Sequence, residues 1–91
     1  MAPLVIVVAL TQREAAHAAR ELGYKPHSRE VKLVSRGVQV RGLRLTADDH
    51  VVWVRPETLP YERFGEIAAD LLIAEYWGND DRRKVWDRWP G

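Results

Sequence analysis

Arginine residues are the side chains of this sequence with the clearest chemical potential, because they follow the places where buried strands are predicted to end. Arg13 comes after the first apolar run, Arg36 after the second and Arg55 after the last. In parallel sheets, ligands bind beyond the carboxyl ends of the strands, where the strand order reverses. Guanidinium groups at such an edge, beside a helix N-terminus, favour phosphate or carboxylate. The sequence therefore predicts an anion-binding site with the candidate residues Thr11, Arg13, Arg36, Arg41, Arg44 and Arg55.

The same arginines have a second interpretation, in which they lie in solvent and pair with carboxylates. Glu14, Glu57 and Asp70 are the acidic residues that we expect as their partners. Both interpretations stay open on the sequence alone. Within the anion-site interpretation, Arg13 and Arg55 are the leading candidates.

Sites for nucleotide hydrolysis, metal binding and nucleophilic catalysis are not predicted. A P-loop needs glycines whose N–H groups wrap phosphate and a lysine after them, whereas the first turn reads Thr11-Gln12-Arg13-Glu14. Arg55 follows the last buried strand, at the position where a carboxylate that binds a metal ion would be expected. The three histidines are scattered along the chain, and the sequence contains no cysteine. We therefore expect no catalytic residue, no metal site and no cofactor.

The C-terminal segment interleaves basic and aromatic residues, a composition typical of interfaces and of base-stacking surfaces. Three of the four tryptophans lie within the last fifteen residues. One interpretation is a surface for a partner or for a second copy of the chain. The other is a lid over a poorly covered face of a small sheet, which we favour for Val85 and at least one tryptophan. The candidate interface residues are Trp77, Arg82, Arg83, Trp86 and Trp89.

The element that positions the first arginine is a strand followed at once by a helix. Residues 4–10 are seven consecutive apolar residues, four of them β-branched, which predicts a strand buried on both faces. Thr11 and Glu14 have the spacing of a capping box. A helix is therefore expected over about 12–22, with Gly23 in the left-handed position that follows it.

The rest of the chain supplies the other elements of an α/β fold. Residues 37–45 stay open between a half-buried strand and a short helical turn across the sheet. The remaining predicted elements are strands over 31–35 and 50–54, a helix that reaches about Trp77 and is closed by Gly78-Asn79, and a short helix from Asp80 or Asp81 through Trp89. Right-handed crossovers place the first strand in the middle. The expected fold is a single α/β domain over 1–91, with a three- to four-stranded, mainly parallel sheet ordered 2-1-3, two main helices and a short C-terminal helix.

The bulk composition is that of an ordinary globular chain. The 91 residues are 46% hydrophobic and 30% charged, with a net charge of +1, so no overall charge points to nucleic acid or to a membrane. No apolar stretch is long enough for a transmembrane helix. The apolar N-terminal run lacks the flanks of a signal peptide, and the lack of cysteine fits a reducing cytoplasm.

Four short motifs resemble small proteins encoded by actinobacterial phages. The motifs are residues 11–16 and 19–23, which form a T-x-x-E-A-x-x-x-A-x-x-L-G helix, and residues 34–36 and 41–44, the latter reading R-G-L-R before a hydrophobic strand. The similarity covers about residues 4–54, and the tryptophan-rich tail has no counterpart. The resemblance implies a phage or prophage origin, a location in the cytoplasm of the bacterial host and a Rossmann-like or degenerate P-loop-like fold. Because that family has no assigned activity, it transfers no catalytic residue.

Two functions from different classes follow as expectations. The first is a non-enzymatic, phage-derived accessory protein that binds an anionic ligand or a macromolecule, namely a host or phage protein, a nucleic acid or a second copy of itself, and no membrane. The alternative is a nucleotide-binding or phosphoryl-handling enzyme that uses the arginine-lined strand edge. An enzyme should show a concave, arginine-lined pocket with a nearby carboxylate. A protein that binds macromolecules should instead show a flat, exposed patch that contains tryptophan.

Overall fold

The computed structural model describes residues 3–46, 48–77 and 86–90 of the chain. These residues form one four-stranded parallel sheet with two helices and two short 3₁₀ turns. The strands are β1 (Val5–Val8), β2 (Val31–Val34), β3 (His50–Trp53) and β4 (Asp87–Arg88); the helices are α1 (Gln12–Glu21) and α2 (Tyr61–Trp77); the 3₁₀ turns are Gly37–Gln39 and Pro56–Thr58. The expected α/β class is confirmed.

Strand β1 lies in the middle of the sheet, as its continuous apolar sequence predicts. The strand order is β2-β1-β3-β4, so the predicted order 2-1-3 is confirmed and extended by one strand. Val5 pairs with Val31 on one side and with His50 on the other. All four residues of β1 are buried, because helices cover both faces of a parallel sheet.

The two faces of the sheet carry two separate hydrophobic clusters. Alternate residues of a strand point to opposite faces, so Ile6 and Val8 join the cluster under α2, whereas Val5 and Val7 join the cluster under α1. Helix α1 contributes only small side chains to its cluster, namely Ala15, Ala18 and Ala19. The α1 cluster is therefore thin, and α1 lies close to the sheet.

The ends of α1 follow the capping rules read from the sequence. The Thr11 hydroxyl oxygen accepts a hydrogen bond from the Glu14 amide at 3.1 Å, which confirms that Thr11 caps the helix. Gly23 has φ +90°, and the amide of Tyr24 donates to the carbonyl of Ala19 at 2.9 Å. This bond and the left-handed glycine form a Schellman motif, which ends the helix where it was expected to end.

The segment left open between strand and helical turn is a helical turn at Gly37–Gln39. The Gln39 side-chain oxygen accepts hydrogen bonds from the amides of Ser35 and Arg36, at 2.8 and 3.0 Å. A Cβ atom at Gly37 would collide with the Asp70 carboxylate of α2. The turn therefore packs directly on α2, and a larger residue at position 37 would have to displace the side chains of Asp70 and Glu66.

The predicted C-terminal helix through Trp89 is wrong for the residues that the structure describes. Asp87 and Arg88 form strand β4, parallel to β3, and the Trp89 amide donates to the Trp53 carbonyl at 2.9 Å. A strand sends Trp86 and Trp89 to opposite faces, where they pack on the α2 and α1 clusters respectively. A helix would place both residues, three apart, on one face. The predicted start of that helix and the closure at Gly78-Asn79 lie outside the described residues.

Neither of the two helices that the structure describes is long and apolar enough to cross a membrane.

Candidate functional site

The structure divides four of the predicted anion-site residues between two cavities, and Thr11 lines neither of them. One cavity, here called the Arg55 pocket, has a volume of about 240 Å³ and lies at the carboxyl edge of the sheet beside the N-terminus of α1. The other, the Arg44 cavity, has a volume of about 310 Å³ and lies between α2 and the loop over residues 40–44. The residues that line the Arg55 pocket are Arg13, Glu14, His17, Val54, Arg55 and Trp89. Arg36 lines neither of these cavities.

Arg13 and Arg55 come together because each follows a strand of the same adjacent pair. Arg13 lies in the first turn of α1, which starts after β1, and Arg55 lies two residues after β3. Both side chains are exposed. Among the described residues, neither arginine forms an ion pair. The two guanidinium groups therefore bring two positive charges to one pocket.

Arg55 has a left-handed backbone conformation, with φ 44° and ψ 59°. Two hydrogen bonds hold it there, since the Thr58 amide and hydroxyl both donate to the Arg55 carbonyl, at 2.9 and 2.7 Å. A left-handed conformation costs a non-glycine residue about 1–2 kcal/mol, and such strain is concentrated at functional sites. The side chain projects over the Trp89 ring, with its Cζ atom 5.8 Å from the ring centroid.

Trp89 forms an aromatic wall of the Arg55 pocket. The residue is half-buried, and the amide bond to Trp53 at the end of β3 fixes its backbone. The His17 ring meets it edge-on, with the ring centroids 6.1 Å apart and the planes at 90°. The pocket thus combines two cations with a flat aromatic surface, which suits an anion that carries a ring.

Glu14 contributes the one carboxylate of the pocket lining. Its amide belongs to the helix cap, but its Oε2 atom is buried and has no hydrogen-bond partner. Of the predicted capping box, the bond to the Thr11 hydroxyl is therefore confirmed, whereas the described contacts include no bond from the Thr11 amide to the Glu14 carboxylate. A pocket that joins one carboxylate to two arginines keeps a net positive charge.

Glu14, His17 and Val54 line the pocket, although the sequence did not predict them as site residues. Arg13 and His17 are four residues apart in α1, so they lie on one face of the helix. That spacing is a signal that could have found His17. Trp89 was assigned to an interface instead, and its place in the pocket depends on the pairing of β4 with β3, which local sequence does not reveal.

One of the two arginines of the Arg44 cavity pairs with carboxylates, as the second interpretation of the arginines expects. Arg41 pairs with Asp70 of α2, with its Nε atom 3.3 Å from the carboxylate, and its Nη2 atom lies 3.8 Å from Glu66. Arg44 is exposed and forms no ion pair among the described residues. The acid Glu57 pairs with Arg88 of β4, at 2.7 Å, and not with Arg55.

The tail tryptophan on the other face is a packing residue. Trp86 is half-buried, and its ring lies 5.3 Å from that of Trp53. Its indole N–H donates to the buried carboxylate of Glu75 at 2.9 Å. For Trp86 and Trp89, these contacts support the lid that the sequence analysis favoured. The side chain of Trp77 and the residues Arg82 and Arg83 lie outside the described part of the chain, and the partner surface stays a prediction.

Across the residues that the structure describes, no group of three or more His, Cys, Asp or Glu side chains could hold a metal ion. Comparison with known proteins gives no relative from which a function could be transferred: no family model, no curated protein and no solved structure matches the chain.

Proposed function

We propose that this protein is a binding protein, and that its ligand is a small anion with an aromatic group held in the Arg55 pocket. The observation that carries the proposal is the left-handed backbone of Arg55, which places over Trp89, at the carboxyl edge of the sheet, a guanidinium that has no ion pair among the described residues. Backbone strain at a residue with no ion pair is accounted for when its side chain serves a ligand.

Electrostatics supports an anion at this position. Arg13 and Arg55 supply charge-assisted hydrogen bonds, which are about twice as strong as neutral ones. The N-terminus of α1 lies in the same place, and its free N–H groups and dipole add a further preference for negative charge. A ligand of either phosphate or carboxylate type fits this donor set.

The aromatic wall and the pocket volume narrow the class of ligand. Pockets for drug-sized ligands have volumes of about 300–1,000 Å³, so about 240 Å³ suits one ring with one anionic group. The half-buried Trp89 ring, which lines the pocket, is the group that would stack on that ring, an interaction that in nucleic-acid binding contributes about 1–3 kcal/mol per base.

Binding is favoured over catalysis by the chemistry of the lining. Apart from the arginines, the polar side chains of the lining are those of Glu14 and His17, and no serine, threonine, cysteine or lysine nucleophile is among them. The Arg55 pocket nevertheless has the features expected of the phosphoryl-handling enzyme, since it is concave, lined by two arginines and contains the Glu14 carboxylate. That enzyme is therefore the second candidate function. The phage origin, the host-cytoplasm location and a protein or nucleic-acid partner stay predictions.

Thermal unfolding with three matched compounds tests the proposal: phenyl phosphate, inorganic phosphate and phenol. We expect phenyl phosphate to raise the melting temperature most, phosphate to raise it less, and phenol to have little effect. Arg13→Ala and Arg55→Ala should each weaken phenyl phosphate binding about 10- to 100-fold, the value of a charged hydrogen bond of about 1.5–3 kcal/mol.

Arg20→Ala is the matched control, because Arg20 is an exposed arginine in the last turn of the same helix and lies outside the pocket lining. This variant should bind phenyl phosphate as the wild type does. Equal loss of binding in Arg13→Ala and Arg20→Ala would show that only net charge matters, and it would contradict the proposed site.

A further inference from the structure

The outer face of α2 is apolar over its C-terminal half, although it faces solvent. Leu72, Ile73 and Tyr76 are 39%, 51% and 77% exposed. The inner face of the same helix is also apolar, with Ile67 and Leu71 completely buried. A helix that is apolar on both sides is typical of one buried on both sides. In the described structure, the sheet packs against the inner side of α2, and Leu72 and Ile73 on its outer side are exposed.

Gly65 lies on the same outer face and has no packing role among the described residues of one copy of the chain. It is exposed in the interior of α2, and an added Cβ atom would meet nothing within 4 Å. Glycine is among the poorest helix formers, so its presence weakens the helix without a benefit inside the monomer. A benefit arises if another backbone approaches closely at this position.

We propose that α2 packs antiparallel against the α2 helix of a second copy of the chain, across a two-fold axis. Gly65, Ala69, Leu72 and Tyr76 recur at intervals of four, three and four residues, which places them on one stripe of the helix. The two small residues come first and the two large ones follow. In an antiparallel pair, Ala69 faces Leu72 and Gly65 faces Tyr76, so each large side chain meets a small one.

The charges beside the stripe fit the same arrangement. Arg44 lines a cavity with Ile73 and Asp70 on one flank of α2, and Glu66 lies on this flank one turn before Asp70, where both pair with Arg41. Around a two-fold axis between antiparallel helices, each flank meets the same flank of the other copy. Arg44, which has no ion pair among the described residues, then reaches Glu66 of the second copy.

A second copy is favoured over a different protein because one helix carries both halves of the contact. A two-fold interface requires a self-complementary surface. The stripe is self-complementary because its large side chains meet its small ones, and the flank is self-complementary because its basic side chain meets its acidic one. The net charge of +1 gives little electrostatic repulsion between copies. This proposal is independent of the Arg55 pocket, which lies at the N-terminus of α1.

Sedimentation across a range of protein concentrations tests the association. We expect a monomer–dimer equilibrium that Leu72→Lys weakens at least about tenfold, because it buries a charge in the contact. Leu22→Lys is the matched control, since Leu22 is 37% exposed at the end of α1, and it should leave the dimer unchanged. A wild-type chain that stays monomeric up to about 1 mM, the weak limit of useful affinity, would overturn the proposal.

Gly65→Ala separates the contact from a general effect on folding. In the monomer, alanine should strengthen the helix and raise the melting temperature at high dilution. In the dimer, the new methyl group should hold the helices apart and weaken association. Unchanged or stronger association in this variant would overturn the close approach at Gly65, and circular dichroism confirms that the fold is kept.

A charge exchange tests the orientation. Arg44→Glu and Glu66→Arg should each weaken the dimer roughly two- to tenfold, as expected for exposed ion pairs. An equimolar mixture of the two variants should recover a mixed dimer, because both intermolecular contacts then join opposite charges. A mixture that associates no better than either variant alone would overturn the antiparallel arrangement.

Discussion

Replacing Arg55 by alanine and by glycine separates the strain at this residue from the contact of its side chain. Both variants lose the guanidinium that lies 5.8 Å from the centre of the Trp89 ring. Such a contact contributes about 0.5–1 kcal/mol at an exposed site. Alanine keeps the left-handed strain, since it too has a Cβ atom. Arg55→Ala should therefore be about 0.5–1 kcal/mol less stable than the wild type.

Glycine removes the strain as well as the side chain. At φ 44° and ψ 59°, relief of the strain should return about 1–2 kcal/mol. The greater freedom of glycine in the unfolded chain offsets about 0.4–1 kcal/mol of that gain. Arg55→Gly should thus be about 0.5–1 kcal/mol more stable than Arg55→Ala and close to the wild type.

Thermal unfolding resolves this difference, because 1 kcal/mol corresponds to a shift of about 4–8 °C for a domain of 60–100 residues. The glycine variant should melt about 2–8 °C above the alanine variant, and neither should respond to phenyl phosphate as the wild type does. Equal melting temperatures, or a lower value for glycine, would refute the reasoning that the backbone at Arg55 is strained.

Three further predictions concern the elements that support the pocket and the sheet. Thr11→Ala removes the hydroxyl that accepts from the Glu14 amide and should destabilise the protein by about 1 kcal/mol in a urea titration; a neutral result would mean that the cap does not form. Gly37→Ala places a methyl group against Asp70 of α2 and should cost about 1–3 kcal/mol, whereas Gly65→Ala should stabilise the monomer; a reversed order would contradict the packing of the 3₁₀ turn. Trp86→Phe leaves the buried Glu75 carboxylate without the indole donor and should cost about 1–3 kcal/mol; an unchanged urea midpoint would show that this bond contributes nothing.

Strand β1 and helix α1 can be predicted from the sequence because the residues that determine them lie close together in the chain. The apolar side chains of residues 4–10 are all removed from water only when both faces of the sheet are covered. Thr11 and Gly23 then fix where the helix begins and ends, and each does so through hydrogen bonds within a few residues. The strand order followed from the handedness of the crossovers.

Strand β3 and helix α2 were also predicted, but the turn at Gly37–Gln39 and strand β4 could not be, because their decisive contacts join distant residues. The turn at Gly37–Gln39 depends on space against Asp70, which lies 33 positions later in the chain. Strand β4 depends on the free edge of β3. The spacing of Trp86 and Trp89 is compatible with a helix. A strand is found instead, because the two side chains pack on opposite faces of the sheet.

The candidate site shows the same division. Arg13 and Arg55 meet because adjacent parallel strands end at one edge, a consequence of topology that the sequence reveals. The pairing of Arg41 with Asp70 and the place of Trp89 beside Arg55 are tertiary contacts. Sequence alone therefore predicted both arginines of the pocket as the leading candidates, but it did not show that Arg41 and Arg44 line a separate cavity.

An NMR titration of the ¹⁵N-labelled chain with phenyl phosphate tests the central claim most directly, because it locates the ligand residue by residue. We expect the largest shifts at the backbone amides of Arg13 and Arg55 and at the Trp89 indole N–H, with little change at Arg41 and Arg44. Shifts centred on Arg41 and Arg44 would contradict the proposed site. The absence of any shift up to about 10 mM phenyl phosphate would contradict it as well, because binding would then be weaker than the millimolar affinity that corresponds to about −4 kcal/mol.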